Sequence, residues 1–116
     1  MCGIVGVVSK SGSGFFGDVP DVFEEFLYAD GLRGMDSTGC FQVNKKNQVE
    51  AIKHAADPGI FFRTNAWKKF KTQIGKNAIM AVGHNRAATV GEIVSKNAHP
   101  FIKGDIALVH NGYIGF

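Results

Sequence analysis

Apolar and polar positions along this chain switch between the period of a strand and the period of a helix. Ile4-Val5-Gly6-Val7-Val8 is a β-branched run that reads as a buried strand. Gly3 and Gly6 allow another backbone or a ligand to approach it closely. Ser11-Gly12-Ser13-Gly14 reads as a loop. Val19, Val22, Phe23, Phe26 and Leu27 then fall on one helical face. Asp18 can cap the start of this helix, Pro20 suits its first turn and Gly31 can end it.

The stretch Arg33-Gly34-Met35-Asp36-Ser37-Thr38-Gly39 is polar and bounded by glycine, which predicts a loop. Cys40 to Asn44 resumes as a strand, Lys45-Lys46-Asn47 is a turn, and Val49 to Ile52 is its hairpin partner. Asp57-Pro58-Gly59 breaks the chain before a short helix through Phe61 and Phe62. A longer helix begins near Asn65, carries Trp67, Phe70 and Ile74 on one face, and ends at Gly75. Ala78 to Gly83 is a strand running into His84-Asn85-Arg86. Asn97-Ala98-His99-Pro100-Phe101 lies in a loop, and a last strand, Asp105 to Val109, delivers His110-Asn111-Gly112. Strands and helices mix without regular βαβ alternation, so the expected class is α+β with a largely antiparallel sheet. Neither repeats nor low-complexity segments interrupt this order.

A length of 116 residues suggests one domain with room for a core. Hydrophobic content of 45% and charged content of 20% are those of a globular protein. No apolar run is long enough for a bilayer, and the N-terminus lacks the basic and apolar regions of a signal peptide, so the expected location is cytoplasmic, with no membrane partner. The two cysteines, Cys2 and Cys40, form neither metal-ligand spacing nor a disulfide framework. Cys40, within an apolar stretch, reads as a buried thiol. The net charge is +3, with lysines grouped at 45–46 and 68–71. Aromatic residues do not interleave with them as stacking platforms, so they read as a solvated face rather than a nucleic-acid surface.

The candidate chemistry centres on Cys2. A cysteine behind an initiator methionine becomes the N-terminus once that methionine is removed. One residue then carries a thiol and a free α-amine, and such an amine titrates at about 7.7–8.0, so it can serve as the base that activates the thiol. The plain alternative is a small apolar residue opening a strand. Three polar clusters lie beside glycine at strand ends or in loops: Arg33-Gly34-Met35-Asp36-Ser37, His84-Asn85-Arg86 with Thr89, and His110-Asn111-Gly112. Singly, each has an ordinary reading. Asp36-Ser37 can be a turn, Arg86 a surface ion pair, and Asn111-Gly112 a type I′ hairpin. With Cys2 they make up a reaction inventory. Attack on a carboxamide produces an oxyanion, which Asn111 and the Gly112 N–H can stabilise. An amino-acid carboxylate can be held by Arg86 with two parallel hydrogen bonds, and Thr89 adds a hydroxyl.

Met1-Cys2-Gly3-Ile4-Val5-Gly6, residues 33–39, 83–89 and 97–101, and His110-Asn111-Gly112-Tyr113-Ile114 resemble, in order, the motifs of the class II glutamine amidotransferases. These are N-terminal-nucleophile hydrolases, and the motif order comes nearest to the glucosamine-6-phosphate synthase branch. The resemblance implies an αββα sandwich of antiparallel sheets. It implies that Cys2, freed of Met1, attacks the side-chain amide of glutamine, with its α-amine shuttling the proton through a water. Ammonia then leaves, and a glutamyl thioester is hydrolysed to glutamate. Asn111 and Gly112 form the oxyanion hole by the same resemblance, with Gly112 also against the substrate. Arg86 and Thr89 take the α-carboxylate end, Arg33 positions the nucleophile, and His99 and His110 support loops. No metal or cofactor is implied.

Two positions depart from the family pattern: Met35 replaces a frequent tyrosine and Ala87 a frequent tryptophan. Family glutaminase domains run to about twice this length, so residues 1–116 are expected to be the N-terminal portion of such a domain. The acidic residue that holds the α-ammonium is then expected outside it. The implied partners are glutamine and a synthase or acceptor domain or subunit that receives the ammonia, with homo-oligomerisation left open. Two further readings stand beside this one: an inactive or truncated amidotransferase-like binding module, and an N-terminal-nucleophile hydrolase acting on another amide.

Overall fold

The computed structural model describes residues 1–113; Ile114, the last residue of the fifth motif, lies outside the described residues, as do Gly115 and Phe116. Four strands form one antiparallel sheet: β1 (Gly3–Val8), β2 (Ser37–Asn44), β3 (Val49–His54) and β4 (Ala78–Arg86), in the spatial order β1-β4-β2-β3. Three helices, α1 (Val19–Asp30), α2 (Pro58–Phe61) and α3 (Asn65–Asn77), belong to the layer on one face. A short two-stranded sheet, β5 (Phe101–Lys103) with β6 (Ile106–Leu108), follows β4 in the chain. The segment leading into it lies on the other face of the large sheet, where His99 stacks on His84 of β4. The layer order is therefore helices, sheet, and a second β layer. This agrees with the expected mixed architecture of antiparallel sheets.

The core forms where the apolar stripe of each helix meets the sheet. Phe23 and Leu27 of α1, Trp67, Phe70 and Ile74 of α3, and Phe61 of α2 are almost fully buried against Cys40 and Ala81. Trp67 is the hub. Its ring lies within 4.9–6.3 Å, centroid to centroid, of Phe23, Phe61, Phe62 and Phe70. Its indole N–H donates to Glu24, which also accepts from Lys71 at 3.3 Å. Thr64 caps α3 by accepting the Trp67 N–H at 3.1 Å, and Asp57 caps α2 through Ile60 N–H.

Several local expectations change. Phe26 belongs to the periodic stripe, yet it is 58% exposed, because the sheet meets a narrow stripe through Phe23 and Leu27. Asp18 makes no side-chain cap. Gly31 keeps a right-handed helical conformation and leads into a 3₁₀ turn over Gly31–Arg33. The longer helix continues past Gly75 to Asn77. The 33–39 loop is shorter than its polarity predicts, since β2 already begins at Ser37. That extension follows from pairing: Ser37 sits opposite Arg86 and Thr38 opposite Asn85, so the partner strand satisfies the polar backbone. β4 likewise runs on through His84-Asn85-Arg86. Phe101, expected in a loop, opens β5. No described helix is long and apolar enough to cross a membrane.

Trp67→Ala removes the ring on which all three helices converge. It is expected to lower stability by about 3–5 kcal/mol, the usual loss for a large buried aromatic, read as a shift in the urea midpoint.

Candidate active site

β1 and β2 both pair with the C-terminal end of β4, so the chain immediately before β1, before β2 and after β4 is gathered at one end of the sheet. Cys2 precedes β1, Met35 and Asp36 precede β2, and Ala87 follows β4. Gly3 is opposite Asn85, and Ser37 is opposite Arg86. Cys2 is 9% exposed, with its Sγ 3.8 Å from the Ala87 carbonyl oxygen. Arg33 Nε donates to the Cys2 carbonyl oxygen at 3.1 Å, so the arginine holds the Cys2 backbone. Met1 is 80% exposed, with its Sδ 3.7 Å from Nη2 of Arg33.

A cavity of about 350 Å³ opens beside Cys2, with Arg86, Thr89, His99, His110 and Gly112 among its walls. A smaller recess of about 220 Å³ adjoins it, lined by Met1, Cys2, Ala87, Thr89, Asn111 and Gly112. Five of the sequence-predicted residues, Cys2, Arg86, Thr89, Asn111 and Gly112, thus line two neighbouring cavities that share Cys2, Thr89 and Gly112. Arg33 stands behind Cys2. A slightly larger cavity, about 400 Å³, lies at the far end of the sheet among Gln42, Asn44, Gln48 and Glu50. It holds no nucleophile and none of the predicted residues.

Arg86 does more than face this space. Its guanidinium donates to the Glu92 carbonyl at 2.9 Å and to the Val90 carbonyl at 2.6 Å. These two bonds fold the 87–92 loop, and with it Thr89, over the cavity. Gly112 has φ +143°, where a side chain is strained, and a Cβ there would press the His110 ring at 3.2 Å.

No family model matches the chain. Curated proteins do match it. The glutamine–fructose-6-phosphate aminotransferase (isomerizing) of Buchnera aphidicola subsp. Baizongia pistaciae is 35% identical over 114 residues. Its counterpart from Wigglesworthia glossinidia brevipalpis is 36% identical over 114 residues, and that from Haemophilus influenzae 35% over 119. Each match takes in 98% of this chain but 17% of the relative, so the chain spans a small part of these proteins' length. The chain belongs to the class II glutamine amidotransferases.

Two features of this site had no part in the chemistry expected from the sequence. The first is Asp36. Its carboxylate accepts the Ala88 N–H at 2.7 Å, and its own N–H donates to the Arg86 carbonyl at 2.9 Å. Asp36 therefore fixes the peptide that faces Cys2. The second is a polar chain at the end of the sheet. Thr38 Oγ1 donates to Asn85 Oδ1 at 2.9 Å, and Asn85 Nδ2 donates to the Leu27 carbonyl and to Asp30 Oδ2 at 2.8 and 3.0 Å. It ties the end of α1 to β4 and β2. The only available signal was that the polar residues of two motifs lay at strand ends, where pairing brings them together.

Asp36→Ala leaves the Ala88 amide without its acceptor. We expect amide exchange at Ala88 to quicken at least tenfold by NMR, with a loss of about 1.5–3 kcal/mol in global stability, as for a hydrogen bond to a charged group.

Proposed function

We propose that residues 1–116 are the N-terminal portion of a glutaminase domain, and that Cys2 hydrolyses the side-chain amide of glutamine once Met1 is removed. The observation that carries this reading is that Cys2, Thr89 and Gly112 line two neighbouring cavities, one walled also by Arg86 and the other by Asn111. The volume of the first lies within the range of small-molecule sites. The names of the relatives, which are glutamine-dependent aminotransferases, give the same direction.

The proposed steps are as follows. Sulfur attacks the amide carbon, and the thiol proton passes to the α-amine of Cys2, directly or through a water. The carbonyl oxygen becomes an oxyanion against Asn111 and the Gly112 N–H. The oxyanion collapses, the C–N bond breaks, and the α-amine returns the proton to nitrogen, which departs as ammonia. Water then attacks the thioester carbon, glutamate leaves, and the thiol is restored. Arg86 and Thr89 hold the α-carboxylate end, so that the side-chain amide reaches Cys2. Arg33 keeps Cys2 in place through its carbonyl oxygen. Ammonia passes to an acceptor site on a domain or subunit outside this chain, as the names of the relatives suggest.

Mass spectrometry of the expressed protein is expected to show loss of Met1, and that species is expected to release glutamate from glutamine. Cys2→Ala should abolish the release. Asn111→Ala should lower kcat by about 10²–10³, the usual loss for one oxyanion donor. Arg86→Lys should raise KM at least tenfold, because the planar fork that holds the 87–92 loop and faces the carboxylate becomes a point charge. The reading fails if the processed chain releases no glutamate and an electrophilic glutamine analogue leaves Cys2 unmodified. Turnover of acyl peptides without turnover of glutamine would transfer the same chemistry to another amide.

A further inference from the structure

Among the described residues, Asn111 and Gly112 belong to no strand. Their segment is held through the backbone of one residue, His110, whose N–H and C=O are both taken by imidazoles. The His110 N–H donates to Nδ1 of His99 at 3.1 Å. The His110 carbonyl oxygen lies 2.8 Å from Nε2 of His84. The two rings stack face to face, 3.9 Å between centroids and 7° from parallel. His84 is 1% exposed and belongs to β4, so it is rigid. His99 is clamped by Phe101, whose ring is 4.6 Å away, and its backbone sits on Gly39, where any Cβ would collide with the His99 carbonyl oxygen.

This arrangement dictates proton positions. A carbonyl oxygen only accepts, so Nε2 of His84 carries a hydrogen. A backbone N–H only donates, so Nδ1 of His99 carries none and its proton is on Nε2. The buried Nδ1 of His84 then has no partner among the described residues, an arrangement that costs about 1–3 kcal/mol in a protein interior. A ring serving only to fill the core could be replaced by an apolar side chain without that cost.

We propose that His84 and His99 are positioning residues that act as a neutral two-ring clamp on the His110 peptide, setting Asn111 and Gly112 against the space at Cys2. The inference rests on the reading of Asn111 and Gly112 as oxyanion donors. The clamp itself is a statement about hydrogen bonds and tautomers. It works only with Nδ1 of His99 unprotonated, whereas Nε2 of His84 donates in either charge state. A proton on Nδ1 of His99 sets two N–H groups against each other and breaks the bond to His110. Burial, and then the neighbouring His84, His110, Arg86 and Lys53, pull the His99 pKa down to about 4. Burial is also the main cause lowering that of His84, with Arg86 and His110 acting in the same direction, against the His110 hydrogen bond and Asp30. The sign follows. A histidine whose folded pKa lies below its ordinary value of about 6.5 stabilises the fold above that value, and the contribution is lost as pH falls toward 4.

The test uses the processed full chain and side-chain isosteres. His99→Asn keeps an acceptor near the place of Nδ1, and His84→Gln keeps an N–H near the place of Nε2; the alanine variants keep neither. The clamp predicts that His99→Ala and His84→Ala lower kcat for glutamate release about 10²-fold, with KM changed less than threefold. The isosteric variants should recover at least tenfold of that loss. Alkylation of Cys2 by iodoacetamide should stay within twofold of wild type throughout. Nitrogen-15 NMR should show both rings neutral with the proton on Nε2 at pH 7, and His110 amide exchange should quicken at least tenfold in His99→Ala. A proton on Nδ1 of His99, or an unchanged His110 amide in His99→Ala, overturns the clamp whatever the activity. Equal kcat in alanine and isosteric variants, or a loss confined to KM, overturns its positioning role. If the wild-type chain releases no glutamate, the reading of Asn111 fails, and the tautomers and exchange still decide the clamp.

Discussion

Strand β4 is hydrogen-bonded on both sides, and its register is the constraint on which the site depends. A one-residue slip of β4 against β1 or β2 would turn every side chain to the opposite face. Asn85 would lose Thr38 and Asp30, His84 would leave the His99 ring, and Ala87 would no longer face Cys2. The register is held at one end by the Thr38–Asn85–Asp30 chain and on the opposite face by the histidine stack. Between them, Ala81 and Gly83 are small enough for α1 to lie close, and Leu27 fills the space above Gly83.

The second β layer is anchored by different means. Lys53 on β3 reaches across to donate to the carbonyls of Ala98 and Pro100, at 2.9 and 3.2 Å, and its ammonium sits 4.8 Å above the Phe101 ring. Burial lowers the Lys53 pKa. One lysine and one histidine stack thus fasten the 95–110 segment to the large sheet. The outer residues of that segment, including Ile102, Ile106 and Leu108, are largely exposed.

The elements with strong periodicity were legible in the sequence. The α1 and α3 stripes, the 40–52 hairpin and the first strand all stand within a few residues of their expected places, because short-range apolar spacing alone determines them. The strand ends were misjudged for one reason. Thr38, Asn85 and Arg86 look like loop residues, yet their backbones are paired by partners more than 45 positions away. Site residues could be named because glycine and polar side chains occurred together; their grouping around two neighbouring cavities became visible only with the topology. His84 and Asp36 were present in the motifs but had no assigned part, since their partners are backbone atoms, and backbone atoms leave no signature in residue identity.

Cys40 points into the core from β2. It is fully buried, and burial, with the Glu50 carboxylate adding to it, pushes its thiol well above the usual cysteine range. Reaction with electrophiles requires a thiolate within reach of the reagent, and Cys40 offers neither. The chain thus behaves toward thiol reagents as though it had a single cysteine. A reporter group can be placed at the nucleophile without mutating the other thiol, and its spectrum follows the mouth of the cavity alone.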